Sequence, residues 1–128
     1  MKRLLLVEDE EHERFTLTRV LERAGFSVVA LPDGEGVLPR LEAEDFDALL
    51  LDVMMPGADG ISVARKVASV RPQLPIILVS AFHLFPGQLE RLDLDRVYFL
   101  DKPLDLDRLL DVLEGRVPPR RARSDSRG

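Results

Sequence analysis

Side chains that could bind a metal ion or take part in catalysis follow four of the five short apolar stretches in this 128-residue chain, each at the point where the stretch ends. Glu8 and Asp9 follow the first stretch, and Asp52 follows the third. Ser80 follows the fourth stretch, and Lys102 follows the fifth. Three acids, one hydroxyl group and one ammonium group are therefore available for joint chemistry if the fold brings these ends together.

The three acids favour a metal ion. Carboxylates that share one cleft repel one another and raise one another's pKa unless a cation is present. Oxygen ligands of high charge suit Mg²⁺, which keeps several waters and takes one or two carboxylates together with phosphate oxygens. The chain has no cysteine, and neither His12 nor His83 directly follows an apolar stretch, which disfavours zinc. The sequence therefore predicts a magnesium site.

A site of this kind can bring an anionic phosphoryl group to a carboxylate, because the metal cancels their repulsion. Phosphoryl transfer requires mainly positioning and charge neutralisation. Asp52 would be the in-line nucleophile that forms an acyl phosphate. Lys102 and the metal would neutralise the equatorial oxygens, and the Ser80 hydroxyl would donate to one of them. We therefore predict phosphorylation of Asp52.

The elements that must position these residues alternate in type along the chain. The apolar stretches predict five strands, at Leu4–Val7, Val28–Leu31, Ala48–Leu51, Ile76–Val79 and Val97–Leu100. Helical periodicity predicts a first helix capped by Gly25 and further helices at about 35–44, 60–70, 87–93 and 105–114. Because Pro39 falls inside the second helix, that helix should be short, kinked or late in starting. The alternation predicts an α/β fold with a doubly wound parallel sheet, which binds ligands at the carboxyl ends of its strands.

Charge and hydropathy exclude several classes of protein. Residues 115–128 carry a net charge of +4, so the acidic remainder carries −9, which argues against a nucleic-acid-binding domain. No apolar run is long enough to span a bilayer or to form a signal-peptide core, so we expect a cytoplasmic protein without membrane contact. The basic tail is typical of a solvated terminus or the start of a linker.

Four segments resemble the signatures of response-regulator receiver domains of two-component signalling: Val7–Glu10, Leu50–Gly60, Pro75–Ala81 and Lys102–Leu104. The Asp-x-Met-Met-Pro-Gly-x-Asp-Gly pattern is highly specific, and the resemblance covers about residues 2–114. It implies a receiver domain at 1–114, followed by a tail or linker at 115–128. It also implies a CheY-like (flavodoxin-like) sheet of five strands in the order 2-1-3-4-5.

The resemblance assigns roles around the predicted metal. It implies that Asp9 and Asp52 bind Mg²⁺ together with the Met54 backbone carbonyl, and that Glu8 assists through the metal's waters. It further implies a cis peptide bond before Pro103, a geometry that only X-Pro bonds adopt cheaply.

The resemblance also implies a conformational switch. The phosphoryl group would contact the Ala81 backbone and draw in the Ser80 hydroxyl, while Phe99, three residues before the lysine, turns inward. The phosphoryl group would shift the equilibrium between two conformations of the domain that already exist without it. The change would alter the face formed by the predicted helix 87–93, the fifth strand and the last helix.

The implied partners are a sensor histidine kinase or histidine phosphotransfer protein, and a downstream target or a fused effector domain. The domain would assist only its own phosphorylation and dephosphorylation and would not otherwise be an enzyme. The sequence leaves homodimer formation open, as well as whether the receiver stands alone or belongs to a longer regulator.

Two other functions remain open at this point. A receiver-like module could bind partners without phosphorylation, although the set of acids, serine and lysine argues against it. A phosphatase of the haloacid-dehalogenase kind would need a second acid two residues after Asp52, where this chain has Met54.

Two local departures from the family pattern suggest further hypotheses. Phe82, Leu84 and Phe85 make the connection after the fourth strand unusually apolar, which would suit a partner-docking patch. Met54 and Phe82 border the route of attacking water in the family, and their apolar side chains predict slow loss of the phosphoryl group.

Overall fold

Five parallel strands form a single sheet in the computed structural model, which describes residues 2–53, 60–80 and 97–116. The strands are β1 (Arg3–Val7), β2 (Ser27–Leu31), β3 (Ala48–Asp52), β4 (Ile76–Ser80) and β5 (Val97–Asp101). Their spatial order is β2-β1-β3-β4-β5, and each neighbouring pair is parallel. The predicted fold class and strand order are therefore confirmed.

Helices cover both faces of this sheet. They are α1 (Glu11–Arg23), α2 (Val37–Ala43), α3 (Gly60–Val70) and α4 (Leu106–Leu113). Core side chains of α2 and α3 join the apolar cluster on one face, whereas those of α1 and α4 join the cluster on the other. The two central strands β3 and β4 are buried along their whole length, because successive side chains enter opposite clusters. The predicted helix 87–93 lies outside the described residues.

The second helix starts late, as Pro39 predicts. A short 3₁₀ helix at Gly34–Gly36 precedes α2, which begins at Val37. Pro39 is the third residue of α2, inside the first turn, where a backbone N–H would have no partner within the helix. The missing N–H group therefore costs this helix no hydrogen bond.

The ends of the outer helices follow local sequence signals. Gly25 has a φ of 103° and ends α1, and the Phe26 N–H donates to the Leu21 carbonyl at 3.1 Å. Asp105 caps the start of α4, where its side chain accepts from the backbone N–H groups of Asp107 and Arg108. Glycine in the left-handed region and aspartate at a helix start are the preferred residues for these two positions. Among the described residues, no helix has the length and apolar character needed to cross a membrane.

Candidate functional site

Two acids project from neighbouring strand ends because of the register of the sheet. Val7 of β1 pairs with Leu51 of β3, so Glu8 and Asp52 follow one step further along the two strands. Both acids share the face of the sheet that α1 and α4 cover, since side chains alternate along a strand. Glu8 is only 4% exposed and Asp52 only 5%.

Glu8, Asp9 and Asp52 form a carboxylate cluster, in which one oxygen from each residue lies within 4.8 Å of the others. Asp9 is exposed, whereas the other two acids are buried. The Glu10 backbone N–H donates to Glu8 Oε2 at 3.1 Å and fixes that carboxylate at the start of α1. A cluster of carboxylate oxygens that is open to water on one side fits a hard divalent cation such as Mg²⁺.

Lys102 is the cation that meets this cluster in the structure. Its Nζ atom lies 2.9 Å from Asp52 Oδ2, 3.2 Å from Glu13 Oε1 and 3.5 Å from Glu8 Oε1. The Lys102 backbone N–H donates to the Ser80 carbonyl at 2.8 Å, which holds the ends of β4 and β5 together. The peptide bond between Lys102 and Pro103 is cis.

Burial and charge shift the pKa of two of these groups. Burial raises the pKa of Glu8 from 4.5 to about 7, and the nearby charge of Asp52 adds to this, while the Glu10 N–H and Lys102 oppose it. Burial would by itself lower the pKa of Lys102. The hydrogen bond and charge of Asp52, with Glu13 and Glu8, outweigh that effect and raise the Lys102 pKa above its usual range. Lys102 is therefore fully charged at neutral pH.

Ser80 and Phe99 lie at the neighbouring end of the sheet. Ser80 is 1% exposed and ends β4, one residue beyond Val79, which pairs with Asp52. Phe99 pairs with Leu78 in the next strand and packs, partly buried, against the core cluster on the α2 and α3 face.

Two residues near the site were not predicted from the sequence. Glu13, in the first turn of α1, reaches Lys102, and Arg14 Nη1 donates to the backbone carbonyls of Glu8 at 2.9 Å and Asp9 at 3.4 Å. The available signal was the helix start itself, since the first turn of a helix that follows a strand end must lie beside that end. Met54 and Ala81, which the resemblance places at the site, lie outside the described residues, as do Phe82, Leu84 and Phe85.

A groove of about 710 Å³ opens beside Lys102, between α1 and the segment that leads into α4. Apolar side chains such as Leu17, Leu104 and Leu109 line this groove together with Glu8 and Lys102 of the site.

The sequence and the fold both match known proteins. Residues 4–114 match the model of the response regulator receiver domain family. The chain belongs to this family. Receiver domains are the receiving modules of two-component response regulators; they bind Mg²⁺ at an acidic site and interact with histidine kinases and downstream effectors.

Two curated relatives and one solved structure illustrate the match. The receiver is 40% identical over 82 residues to the response regulator receiver protein CpdR of Brucella abortus, and the match covers 64% of this chain and 68% of CpdR. It is 30% identical over 114 residues to the transcriptional regulatory protein FixJ of Bradyrhizobium diazoefficiens, covering 89% of this chain but 56% of FixJ. The chain thus spans little more than half the length of that transcriptional regulator.

One of the structural matches is the response regulator TrrA of Thermotoga maritima, solved in complex with Mg²⁺-BeF. The TM-score is 0.80 at 27% identity, and the match covers 91% of this chain and all of the TrrA chain. The receiver therefore shares the fold of a response regulator whose structure was solved in complex with Mg²⁺-BeF.

Proposed function

We propose that this receiver accepts a phosphoryl group on Asp52 from a histidine kinase or histidine phosphotransfer protein, in a reaction that requires Mg²⁺. The observation that carries the proposal is the position of Lys102 Nζ, 2.9 Å from Asp52 and next to the carboxylate cluster. The positive charge of this lysine, next to a buried aspartate and a candidate cation site, would neutralise the negative charge that develops on a transferred phosphoryl group. The magnesium and beryllium fluoride complex of TrrA supports this interpretation.

Glu8, Asp9 and Asp52 would hold the metal, with the Met54 carbonyl as a further ligand. The metal, when bound, supplies charge neutralisation for the incoming phosphoryl oxygens. One Asp52 carboxylate oxygen forms a bond to phosphorus while the bond from phosphorus to the donor's histidine nitrogen breaks, and that nitrogen keeps the electron pair. Lys102 moves its ion pair from the Asp52 carboxylate to a phosphoryl oxygen, so its charge stays compensated throughout.

The phosphorylated form would act as a switch. Ser80, buried at the end of β4, would donate its hydroxyl to a phosphoryl oxygen, and the Ala81 backbone would contact another. Phe99 would then move further inward, which would change the surface that includes β5 and α4 for a downstream target or a fused effector. The chemistry of the domain would stay confined to its own phosphorylation and dephosphorylation.

Intact-mass spectrometry with acetyl phosphate and Mg²⁺ tests this proposal. We expect wild-type protein to gain the mass of one phosphoryl group and Asp52→Asn to gain none, since the amide is not a nucleophile. Asp45→Asn, which alters an exposed aspartate, is the matched control and should be labelled like the wild type. Chelation of the metal should abolish labelling of the wild type and of the control.

Two results would contradict the proposal. An unchanged mass of the wild-type protein would favour a receiver-like module that binds partners without phosphorylation. Repeated turnover of a phosphoester, with no stable adduct on Asp52, would favour the phosphatase alternative.

A further inference from the structure

Lys102 is shared by carboxylates from three separate elements, and one of these carboxylates does not belong to the metal cluster. Glu8 and Asp52 come from the ends of β1 and β3, and both are buried members of that cluster. Glu13 comes from the first turn of α1, and its side chain is 55% exposed while its Oε1 lies 3.2 Å from Lys102 Nζ. The lysine is therefore held from the solvent side by an acid without a place in the predicted phosphoryl chemistry.

The position of Glu13 makes it a competitor for the lysine. Asp52 already holds Lys102 at 2.9 Å and Glu8 supports it at 3.5 Å, so the lysine needs no third acid to stay near the phosphorylation site. A bound divalent cation would offset the charge of Glu8 and Asp52, which leaves Glu13 as the carboxylate with full attraction for the ammonium group. An exposed carboxylate at the same place also repels an incoming anionic donor.

We propose that Glu13 acts as a gate that restrains Lys102 and slows phosphoryl transfer from small anionic donors. This inference rests on the proposed phosphorylation of Asp52. While part of its charge and one of its N–H groups are engaged by Glu13, Lys102 pairs less fully with a phosphoryl oxygen, so Glu13 opposes the reaction instead of assisting it. A protein donor that offers a cation to Glu13 would remove the restraint, which makes Glu13 a determinant of donor specificity on the surface of α1.

The test compares three substitutions in the full chain. Glu13→Gln removes the charge, and Glu13→Asp keeps the charge but shortens the side chain by one methylene group. Glu11→Gln is the matched control, because Glu11 is exposed in the same first helical turn and forms no ion pair among the described residues. The control changes the net charge and the interaction with the helix dipole as Glu13→Gln does.

The first measurements are the rate of phosphorylation by acetyl phosphate and the affinity for beryllium fluoride, both with saturating Mg²⁺. We expect Glu13→Gln and Glu13→Asp to increase both about two- to fivefold, the range for a partly exposed ion pair, and Glu11→Gln to match the wild type. Unchanged or slower phosphorylation of Glu13→Gln would overturn the proposal, as would an equal gain in Glu11→Gln. Wild-type behaviour of Glu13→Asp would also overturn it, since charge without contact would then be sufficient.

A second measurement is independent of phosphorylation. The chain has only three lysines, Lys2, Lys66 and Lys102, so the NMR signals of their ammonium groups can be assigned by substitution. In the metal-free protein, Glu13→Gln should shift the Lys102 signal and leave the signals of Lys2 and Lys66 in place. An unshifted Lys102 signal would overturn the proposal that Glu13 restrains this lysine. If the wild type takes neither phosphoryl group nor beryllium fluoride, the proposed function fails, while the NMR result still reports on the contact itself.

Discussion

Glu8 is a buried acid beside a second buried acid, and this arrangement costs folding energy when no cation is bound. Burial and the neighbouring carboxylate together raise its pKa to about 7, which reflects the cost of keeping it ionised. Its side chain nevertheless stays in place, because the Glu10 N–H and Lys102 bind its oxygens. The buried charge of Glu8 therefore lowers the stability of the metal-free protein, and the same charge attracts a cation.

Replacement of Glu8 by Gln should separate its effect on stability from its effect on metal binding. We expect Glu8→Gln to stabilise the metal-free protein by about 1–3 kcal/mol at neutral pH, since a buried charge is removed at little change in volume. Magnesium affinity should fall about tenfold or more, as for other groups that orient a metal and its waters. Thermal unfolding in chelator and calorimetric titration with Mg²⁺ measure the two effects.

The control for this substitution is Glu22→Gln, which removes an exposed acid from α1. It should leave both the melting temperature in chelator and the magnesium affinity close to those of the wild type. A lower melting temperature for Glu8→Gln than for this control would contradict the account of Glu8 as a destabilising charge.

At the scale of elements, the start of α3 is pressed against the end of β3. A Cβ atom on Gly60 would lie 2.5 Å from the Asp52 carbonyl oxygen and 2.8 Å from the Val53 Cα, and both are backbone atoms. The Gly60 N–H also donates to the Val53 carbonyl at 2.8 Å. Only glycine lets the helix begin this close to the strand that carries Asp52.

Gly60→Ala should therefore destabilise the fold. We expect a loss of about 1–3 kcal/mol, because backbone cannot yield as a side chain can, together with a weaker magnesium site at the displaced end of β3. Gly36→Ala is the matched control, since its Cβ would meet Leu31 Cδ1, a flexible side-chain atom, at 3.3 Å. Urea denaturation of both variants checks the expectation, and equal losses would show that the close approach at Gly60 has no special cost.

At the scale of the whole molecule, the free energy of unfolding should depend on pH in the acidic range, because an ion-pair network joins β1 to the C-terminal end of α2. Glu44 pairs with Arg3 and, at 2.7 Å, with Arg40, and these hydrogen bonds lower the pKa of Glu44 below its usual 4.5. An acid with a lowered pKa contributes stability above its unfolded pKa, and this contribution is lost as the pH falls through the folded pKa.

Glu44→Gln should accordingly lower the melting temperature at neutral pH, and the gap to the wild type should close as the pH falls below about 4.5. The gap should also narrow at high salt, because the side chains of the network are partly exposed to solvent. Glu42→Gln, which alters an exposed acid in the last turn of α2 that makes no ion pair among the described residues, controls for net charge. A gap for Glu44→Gln that persists unchanged to the lowest pH would contradict the ion-pair explanation.

Much of the architecture could be predicted from the sequence, because the strands carry strong signals. Continuous apolar runs such as Ala48–Leu51 indicate strands buried on both faces, and the structure extends β3 by only one residue, to Asp52. Helix starts and stops at Asp105 and Gly25 were equally readable from local chemistry. The sequence also placed the acids and the lysine at one edge, where the structure brings Glu8 and Asp52 to Lys102.

The contacts of α1 could not be predicted in the same way. Periodicity indicates which side of a helix is apolar, but it does not fix how far the helix is rotated over the strand end. That rotation decides whether Glu13 reaches Lys102 and whether Arg14 reaches the carbonyl groups behind the acids. Such long-range contacts depend on the packing of the whole sheet with α1, which no local pattern records.

The pairing of β1 with β3 has a consequence for how such a domain can diversify. Because Val7 and Leu51 are partners in the ladder, the separation of Glu8 and Asp52 follows the spacing of adjacent strands, about 4.8 Å between backbones. Substitutions on the helix surfaces can therefore change which signalling partner binds. The distance between the two acids stays the same, because the sheet sets it. Duplicated copies of the gene could acquire new circuits without rebuilding the chemistry.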